Sequence, residues 1–528
     1  MSEPLSMLQQ MFHQKKISRR QFVTQLTALG VSTALIPSFM TGKALAAGPK
    51  KGGHFRMGMA GGSTTDSLDA AVLAAQIDTS TSYAARNNLV EVDYKGQAIP
   101  ELAESWEPEP GAAKWIFNLR KDVTFHNGKT MDSQDVAYSI GYHTADSSKS
   151  GAKGLVDQIK DIQTDGKHRV IFTLKSGNAD FPFVLNDYHL VIVPDGTQGQ
   201  EWEKCIGTGG YILESWEPGV RAILKRNPDF FKAGRAHFDS IEILHIADAS
   251  SRTNALRTGQ VDYMNRVDVK TVHLFKRTKG VNILRVNGGY HYTMPMHTDV
   301  APYSNNDLRL ALKYACDREK LVDKFLRGYG SPANDQPIPP FNKYHAKDIP
   351  QRAYDPDKAA YHFKKAGMKD EAITLFTSEE AGFIDVATLY AESARKAGIT
   401  IKLQKEPADG YWSNVWLKQP FCNCYWGARP TADMMFSVAY SGDAKWNDTH
   451  FKHAKFDQLL LAARSELDET KRQAMYTECQ QIVRDEGGSV IPFFKDYVEA
   501  CSDKVAQANL SGLWETDSYK AIERWWFA

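Results

Sequence analysis

Strand-like and helix-like patterns alternate along most of the 528-residue chain. "HFRMGMAGG" (54–62) predicts a first strand that stops at a Gly turn. In "KWIFNLRKDVTFHNG" (114–128), Trp115, Phe117 and Leu119 share one face at a period of two, and Asn127-Gly128 supplies a turn. A helix follows over "MDSQDVAYSIGYH", with Asp132 placed to cap it. Hairpin patterns recur at 161–175, turning on Asp165-Gly166, and at 210–231, turning on Pro218-Gly219. "SSRTNALRTGQVDYM" (250–264) predicts a helix closed by Gly259 and then a short strand. Further on, "NNDLRLALKYACDREKLVDKFLRGYG" (305–330) predicts one long amphipathic helical region with a Gly-rich end. "PDKAAYHFKKAG" leading into "AITLFTS", and then "DVATLYAESARKAGITIKLQKE", give two helix-then-strand units, the second stopped at Gly398. This alternation predicts α/β cores, with the second half as an independent α/β lobe.

The amino terminus departs from that pattern. Lys15, Lys16, Arg19 and Arg20 precede a moderately apolar run from Phe22 to Met40, and Ala44-Leu45-Ala46 has the form of a cleavage site. Residues 1–46 therefore read as an export signal, cleaved near Ala46-Ala47. Ser18-Arg19-Arg20-Gln21-Phe22-Val23 resembles the twin-arginine motif; the alternative is an ordinary secretory signal with a chance Arg pair. Both routes lead to the periplasm. Polar interruptions make the run a poor membrane anchor, and no later segment is long and apolar enough to span a bilayer.

Removing the signal takes away five Lys/Arg and one acid, which moves the net charge from +1 to −3. A nucleic-acid partner, which wants a basic face, is not expected. The six cysteines (205, 316, 422, 424, 479 and 501) are free to pair in the periplasm, but spacing does not show which would do so; buried thiols are the alternative. Cys422 and Cys424 share one face of the predicted strand Phe421–Trp426, too close and too few for a zinc shell and wrongly spaced for a redox pair. No metal and no cofactor is expected. The chain also lacks a Gly-x-Ser-x-Gly elbow, a His-Glu-x-x-His helix and a phosphate-binding Gly loop, so an enzyme is not expected.

Five segments, taken in order, resemble the periplasmic solute-binding proteins of ABC importers, extracellular family 5, the dipeptide, oligopeptide and nickel type. They are "IPELAESWEPEPGAAKWIFNLRKDVTFHNGKTMDSQDVAYSI" (99–140), "GTGGYILESWEPGVRAILKRNPDFF" (207–231), "RTGQVDYM" (257–264), "NNDLRLALKYACDREKLVDKFLRGYGSPANDQPIPP" (305–340) and "YDPDKAAYHFKKAG" (354–367). The resemblance implies a two-lobed α/β periplasmic-binding-protein fold of class II, the large type with an inserted subdomain, enclosing its ligand in the interlobe hinge cleft. Lobe I is expected over 47–274 plus 491–528, with the insertion at about 85–205, and lobe II over 275–490. The implied function is capture of a small or peptide-like solute and its delivery to ABC permease subunits and their ATPases, by a chain expected to be a monomer. A ligand-loaded partner of a chemoreceptor is an alternative, as is a periplasmic enzyme.

In dipeptide- and oligopeptide-binding relatives, the strand matching 421–426 ends in a Trp followed three residues later by an Asp that pairs with the peptide's amino group. Trp426 fits, but the third residue after it is Arg429, so the charge is reversed. An Arg at that point favours a carboxylate, sulfonate or phosphate over an amine. Asp433 is placed either to pair with Arg429 or to contact a cation. Tyr411 and Trp412 occupy a stretch that often lines the family's pocket, with core packing as the alternative. Tyr290, Tyr292 and His297 lie on a strand crossing toward the second lobe, from which they could reach the cleft as ligand contacts, with a structural role as the alternative for the lone His. Ser63 and Thr64 follow the first strand, where hydroxyls and amides could meet a polar ligand, or the stretch is a turn into a helix capped by Asp66 or Ser67.

Overall fold

His54–Met59 alternates buried side chains with partly exposed ones at its start and is wholly buried at its end, as befits a strand entering a sheet interior. It pairs in parallel with Ser240–His245 on one side and Tyr263–Met264 on the other. The sheet runs in the order Cys424–Trp426, Val281–Pro295, Phe493–Ser502, Tyr263–Met264, His54–Met59, Ser240–His245, Arg221–Arg226, Tyr211–Glu217. This computed structural model describes residues 21, 49–145, 148–275, 277–408 and 410–528. Apart from Gln21, the export signal and its twin-arginine motif lie outside the described residues.

The architecture is α/β and two-lobed, and one sheet serves both lobes. Two antiparallel strands, Val281–Pro295 and Phe493–Ser502, make the crossing. Val281–Val286 pairs with Ser502–Tyr497 beside the first lobe; after a bulge, Tyr290 and His291 resume pairing at Lys495 and Phe494 in the second. The bulge carries Gly288, where a Cβ would come 2.4 Å from the Lys495 carbonyl oxygen. A Cβ on Gly512 would lie 2.0 Å from the Asn287 oxygen, so backbone packs directly on backbone at the crossing.

Separate cores surround this frame. Phe55, Met57, Phe238, Ile241, Tyr263 and Trp525 belong to the first lobe's cluster. A module with its own four-stranded antiparallel sheet packs Phe117, Val136, Ile140, Phe172 and Phe181 together. Its helix Ser133–Thr144 starts where the sequence places it, Asp132 accepting from the Gln134 amide. The second lobe holds two clusters, one around Leu312, Leu375, Phe383 and Tyr390, the other around Trp426, Phe436, Phe456 and Tyr476.

Two local expectations change. The region 305–330 is two helices, Asn306–Tyr314 and Arg318–Lys324, because Asp317 caps a new start at the Lys320 amide. The Arg318 guanidinium meanwhile satisfies the carbonyls of Lys313 and Cys316 at the first helix's end. No helix follows directly on 60–69: the Ser63 amide donates to Asp66 and the Asp66 amide to the Ser63 carbonyl, closing a turn on itself. The helix begins only at Gln76, where Asp78 takes the amides of Ala74 and Ala75.

All six cysteines are buried and free. Burial pushes the Cys422 and Cys424 thiols upward, as for packing residues. Among the described residues, no helix is long and apolar enough to cross a membrane.

Candidate functional site

Cys424–Trp426 pairs with the crossing strand in the register His291↔Trp426, Tyr292↔Tyr425, Thr293↔Cys424. This places Trp426 and the following turn at the junction of the lobes. The helix Ala432–Ala439 then begins with Thr431, whose side chain accepts from the Met434 amide. Arg429 is held between a fixed strand and a capped helix.

A cavity of about 350 Å³ opens beside that turn, lined by Trp412, Trp416, Tyr425, Trp426, Trp446 and Arg429, with Cys424 and Gly427. Its tryptophans buttress one another edge to face: ring centroids are 6.2 Å apart for Trp416 and Trp426, 6.1 Å for Trp416 and Trp446, and 6.0 Å for Trp412 and Trp416. The indole N–H groups of Trp416 and Trp426 both donate to one oxygen of Asp448, each at 3.2 Å. That carboxylate is buried behind the rings, and burial pushes it up to about 6. The Trp416 and Trp426 rings therefore present hydrocarbon to the cavity.

Among the described residues, Arg429 is its one charged lining residue. Its Nη1 donates to the carbonyls of Gly427 and Ala428, each at 3.2 Å, and among the described residues no carboxylate forms an ion pair with it. Burial lowers its affinity for the proton, opposed by Asp187 and the Tyr188 phenol. Asp187 is already bonded to His189 at 2.6 Å. A cation half-removed from water without a counter-charge is costly, which makes it receptive to an anion.

Asp187 and Tyr188 lie between Leu185 and Leu190 of the core around the four-stranded sheet, so the guanidinium feels that module's charge. Tyr188 stands against Trp514 at 5.8 Å and Tyr519 at 6.2 Å. Tyr519 ends four consecutive residues with positive φ, Thr516 (58°), Asp517 (54°), Ser518 (55°) and itself (62°). Such a left-handed turn costs about 1–2 kcal/mol per residue. The surroundings over-determine it: the Thr516 amide donates to Glu499, the Ser511 amide and Trp525 indole to Asp517, and the Ser518 hydroxyl contacts Ser511.

Of the residues singled out by sequence, Arg429, Trp426 and Trp412 meet at this cavity. Tyr290 borders it, stacked on Tyr425 with centroids 4.9 Å apart. Tyr411 does not line it: its ring is buried and its hydroxyl donates to the Asn423 carbonyl at 2.8 Å. Tyr292 is likewise core, its hydroxyl spent on the Ala381 carbonyl. His297 is buried against His450, centroids 3.8 Å apart, and burial brings its imidazole down to about 4. Asp433 pairs with Arg464 at 3.1 Å, not with Arg429, and burial pushes it up to about 6. Ser63 and Thr64 are exposed at a turn packed on Gly219.

Sequence reasoning passed over Trp416, Trp446, Tyr188, Trp514 and Tyr519. Trp416 had a readable signal, four residues beyond Trp412 in the same segment. The others come from loops whose placement depends on the whole fold. Lys495, opposite Tyr290 in the crossing, was also missed; its Nζ lies 5.8 Å from the Tyr290 ring centre. Among the described residues, no group of three His, Cys, Asp or Glu is placed to hold a metal.

Comparisons with known proteins bear on this cleft. The family model for bacterial extracellular solute-binding proteins, family 5, matches residues 97–448. The oligopeptide-binding protein AppA of Bacillus subtilis is 25% identical over 479 residues, covering 83% of this chain and 86% of its own. The periplasmic binding protein DppA of Helicobacter pylori, solved with a peptide, aligns with a TM-score of 0.74 at 21% identity, over 90% of this chain and 98% of its own. AgaA of A. tumefaciens, solved with agropinic acid, aligns with a TM-score of 0.74 at 23% identity, over 90% of this chain and 99% of its own.

Proposed function

The chain belongs to the bacterial extracellular solute-binding proteins of family 5, and from that premise we propose that it is the periplasmic capture component of an ABC importer for a small anionic or zwitterionic solute. On this reading residues 47–274 and 491–528 form one lobe, 275–490 the other, and the lobes close over the cleft that Arg429 faces. The closed form is what a membrane permease would recognise. No chemistry is asked of the chain itself. Export by the twin-arginine route belongs to the same proposal.

One observation carries the charge of the ligand: Arg429 lines the cavity with no carboxylate partner among the described residues. A carboxylate, sulfonate or phosphate completes its fork with two parallel hydrogen bonds. A peptide's free amino group placed there meets repulsion instead. A related fold solved with an acid, agropinic acid, is consistent with such a ligand.

The test begins with mass spectrometry of the solute retained by the purified protein. Calorimetry then compares the parent with Arg429→Met. The expected loss is about 2–3 kcal/mol, the worth of a charge-assisted pair, or roughly 30- to 150-fold in affinity. Equal affinity of parent and variant for the retained solute would exclude Arg429 as the anchor.

A further inference from the structure

We infer that the cavity selects an acid with a flat aromatic body and no free amine. This deepens the reading of Arg429 as the anion anchor and rests on it. The argument counts what the walls offer. Four tryptophans and Tyr425 surround the space, and one guanidinium stands at its end. The indole donors of Trp416 and Trp426 are consumed by Asp448, so those rings supply only π-face and edge. Among the described residues, no carboxylate lines the cavity. Asp187, whose charge acts on Arg429, is held by His189 at 2.6 Å.

A primary ammonium brings three N–H donors, and among the described lining residues the Tyr425 hydroxyl is the one side-chain oxygen that can accept, which leaves the other donors without a side-chain partner. It also adds a positive charge near Arg429. An unsatisfied donor of that kind corresponds to about ten- to hundredfold in affinity. An aromatic ring, by contrast, matches the walls: offset and edge-to-face contacts are how these indoles already pack on one another. The mutual centroid distances of about 6 Å in the Trp416–Trp426–Trp446 group also leave no gap between those rings for an ammonium to enter as in an open aromatic cage. Trp446 is 47% exposed, so it forms the part of the wall that a ligand ring would newly cover.

Five probes titrated by calorimetry into the dialysed mature protein test this: hexanoate, phenylpropanoate, phenylalanine, N-acetylphenylalanine and glycine betaine. Phenylpropanoate and N-acetylphenylalanine are expected to bind about tenfold or more tightly than hexanoate and phenylalanine. Trp446→Ala is expected to narrow the gap between phenylpropanoate and hexanoate, weakening the aromatic acid more than the aliphatic one. Hexanoate matching phenylpropanoate, or phenylalanine matching its acetylated form, overturns the inference and leaves the anion anchor standing. Glycine betaine binding most tightly overturns it in favour of a cation site. Binding of none of the five removes the aromatic-acid reading and the anion anchor together. The comparison of probes on the parent protein decides the matter even if the Trp446 variant does not fold.

Discussion

Replacing Asp180 with Asn tests whether the lobes are latched at a point remote from the ligand. Asp180 precedes the short helix Phe181–Val184 in the inserted module, whereas Arg472 lies on Glu469–Glu486 of the second lobe. Their charged groups are 2.7 Å apart, with side chains 1% and 3% exposed. The Ala179 amide donates to the Arg464 carbonyl at 2.7 Å beside them, and Met434 of the second lobe joins the module's core. Arg472 is further pinned by the Ala463 carbonyl and by the Tyr344 ring, so it stays buried when its partner is lost. Stranding one charge of a buried pair costs about 3–5 kcal/mol. If this contact opens with the lobes, that cost falls on the closed form alone, because the open form lets water reach Arg472. Solute affinity then drops by at least about 100-fold. Pairing Asp180→Leu with Arg472→Met recovers most of it, since an apolar pair of similar volume removes the stranded charge. Calorimetric affinity and thermal unfolding without solute read the two states separately. Unchanged affinity in Asp180→Asn, together with a lowered unfolding temperature, would show a fixed strut in place of a latch.

Glu499 lies on the crossing strand under the left-handed turn, and burial pushes it up to about 8. An unfolded Glu titrates near about 4.3, so between that pH and about 8 the unfolded chain has released a proton that the folded chain keeps. Stability contributed by this group therefore falls as pH rises through that window and levels off above it, by a few kcal/mol in all. Glu499→Gln is expected to unfold at a higher temperature than the parent at pH 8 and at nearly the same one at pH 4; a difference independent of pH would refute the assignment. Gly512→Ala drives a Cβ to within 2.0 Å of the Asn287 oxygen, and the crossing backbone must shift to admit it. A destabilisation of about 1–3 kcal/mol is expected by thermal unfolding, the range for overpacking, and parent-like unfolding would show that the crossing yields freely.

Local chemistry made much of the fold legible. Asp132, Gly259 and Gly398 act within a few residues of themselves, and each stops or starts a helix as its side chain or its φ dictates. Where competing local bonds exist, pattern alone misleads. The periodicity of 305–330 continues through Asp317, yet its carboxylate caps a second helix and divides the region. The site divides in the same way. Trp426 and Arg429 were readable through the resemblance to peptide-binding relatives, and a strand and the turn after it set their positions together. Tyr411, Tyr292 and His297 share the residue types of a binding wall, but backbone carbonyls or a stacked imidazole occupy them inside the lobe. Trp446 and Tyr519 reach the cleft from a loop and from a strained turn, and no period encodes either.

The buried thiols have a consequence for how the molecule matures. Since none of the six cysteines is cross-linked, every contact that defines the fold forms equally well with or without an oxidant. The chain can complete its structure in a reducing or an oxidising compartment and arrive at one product in either. It depends on no disulfide oxidase or isomerase, and a reductant leaves its covalent structure untouched. Burial also keeps these sulfurs protonated, so an oxidant in solution meets thiols of low reactivity.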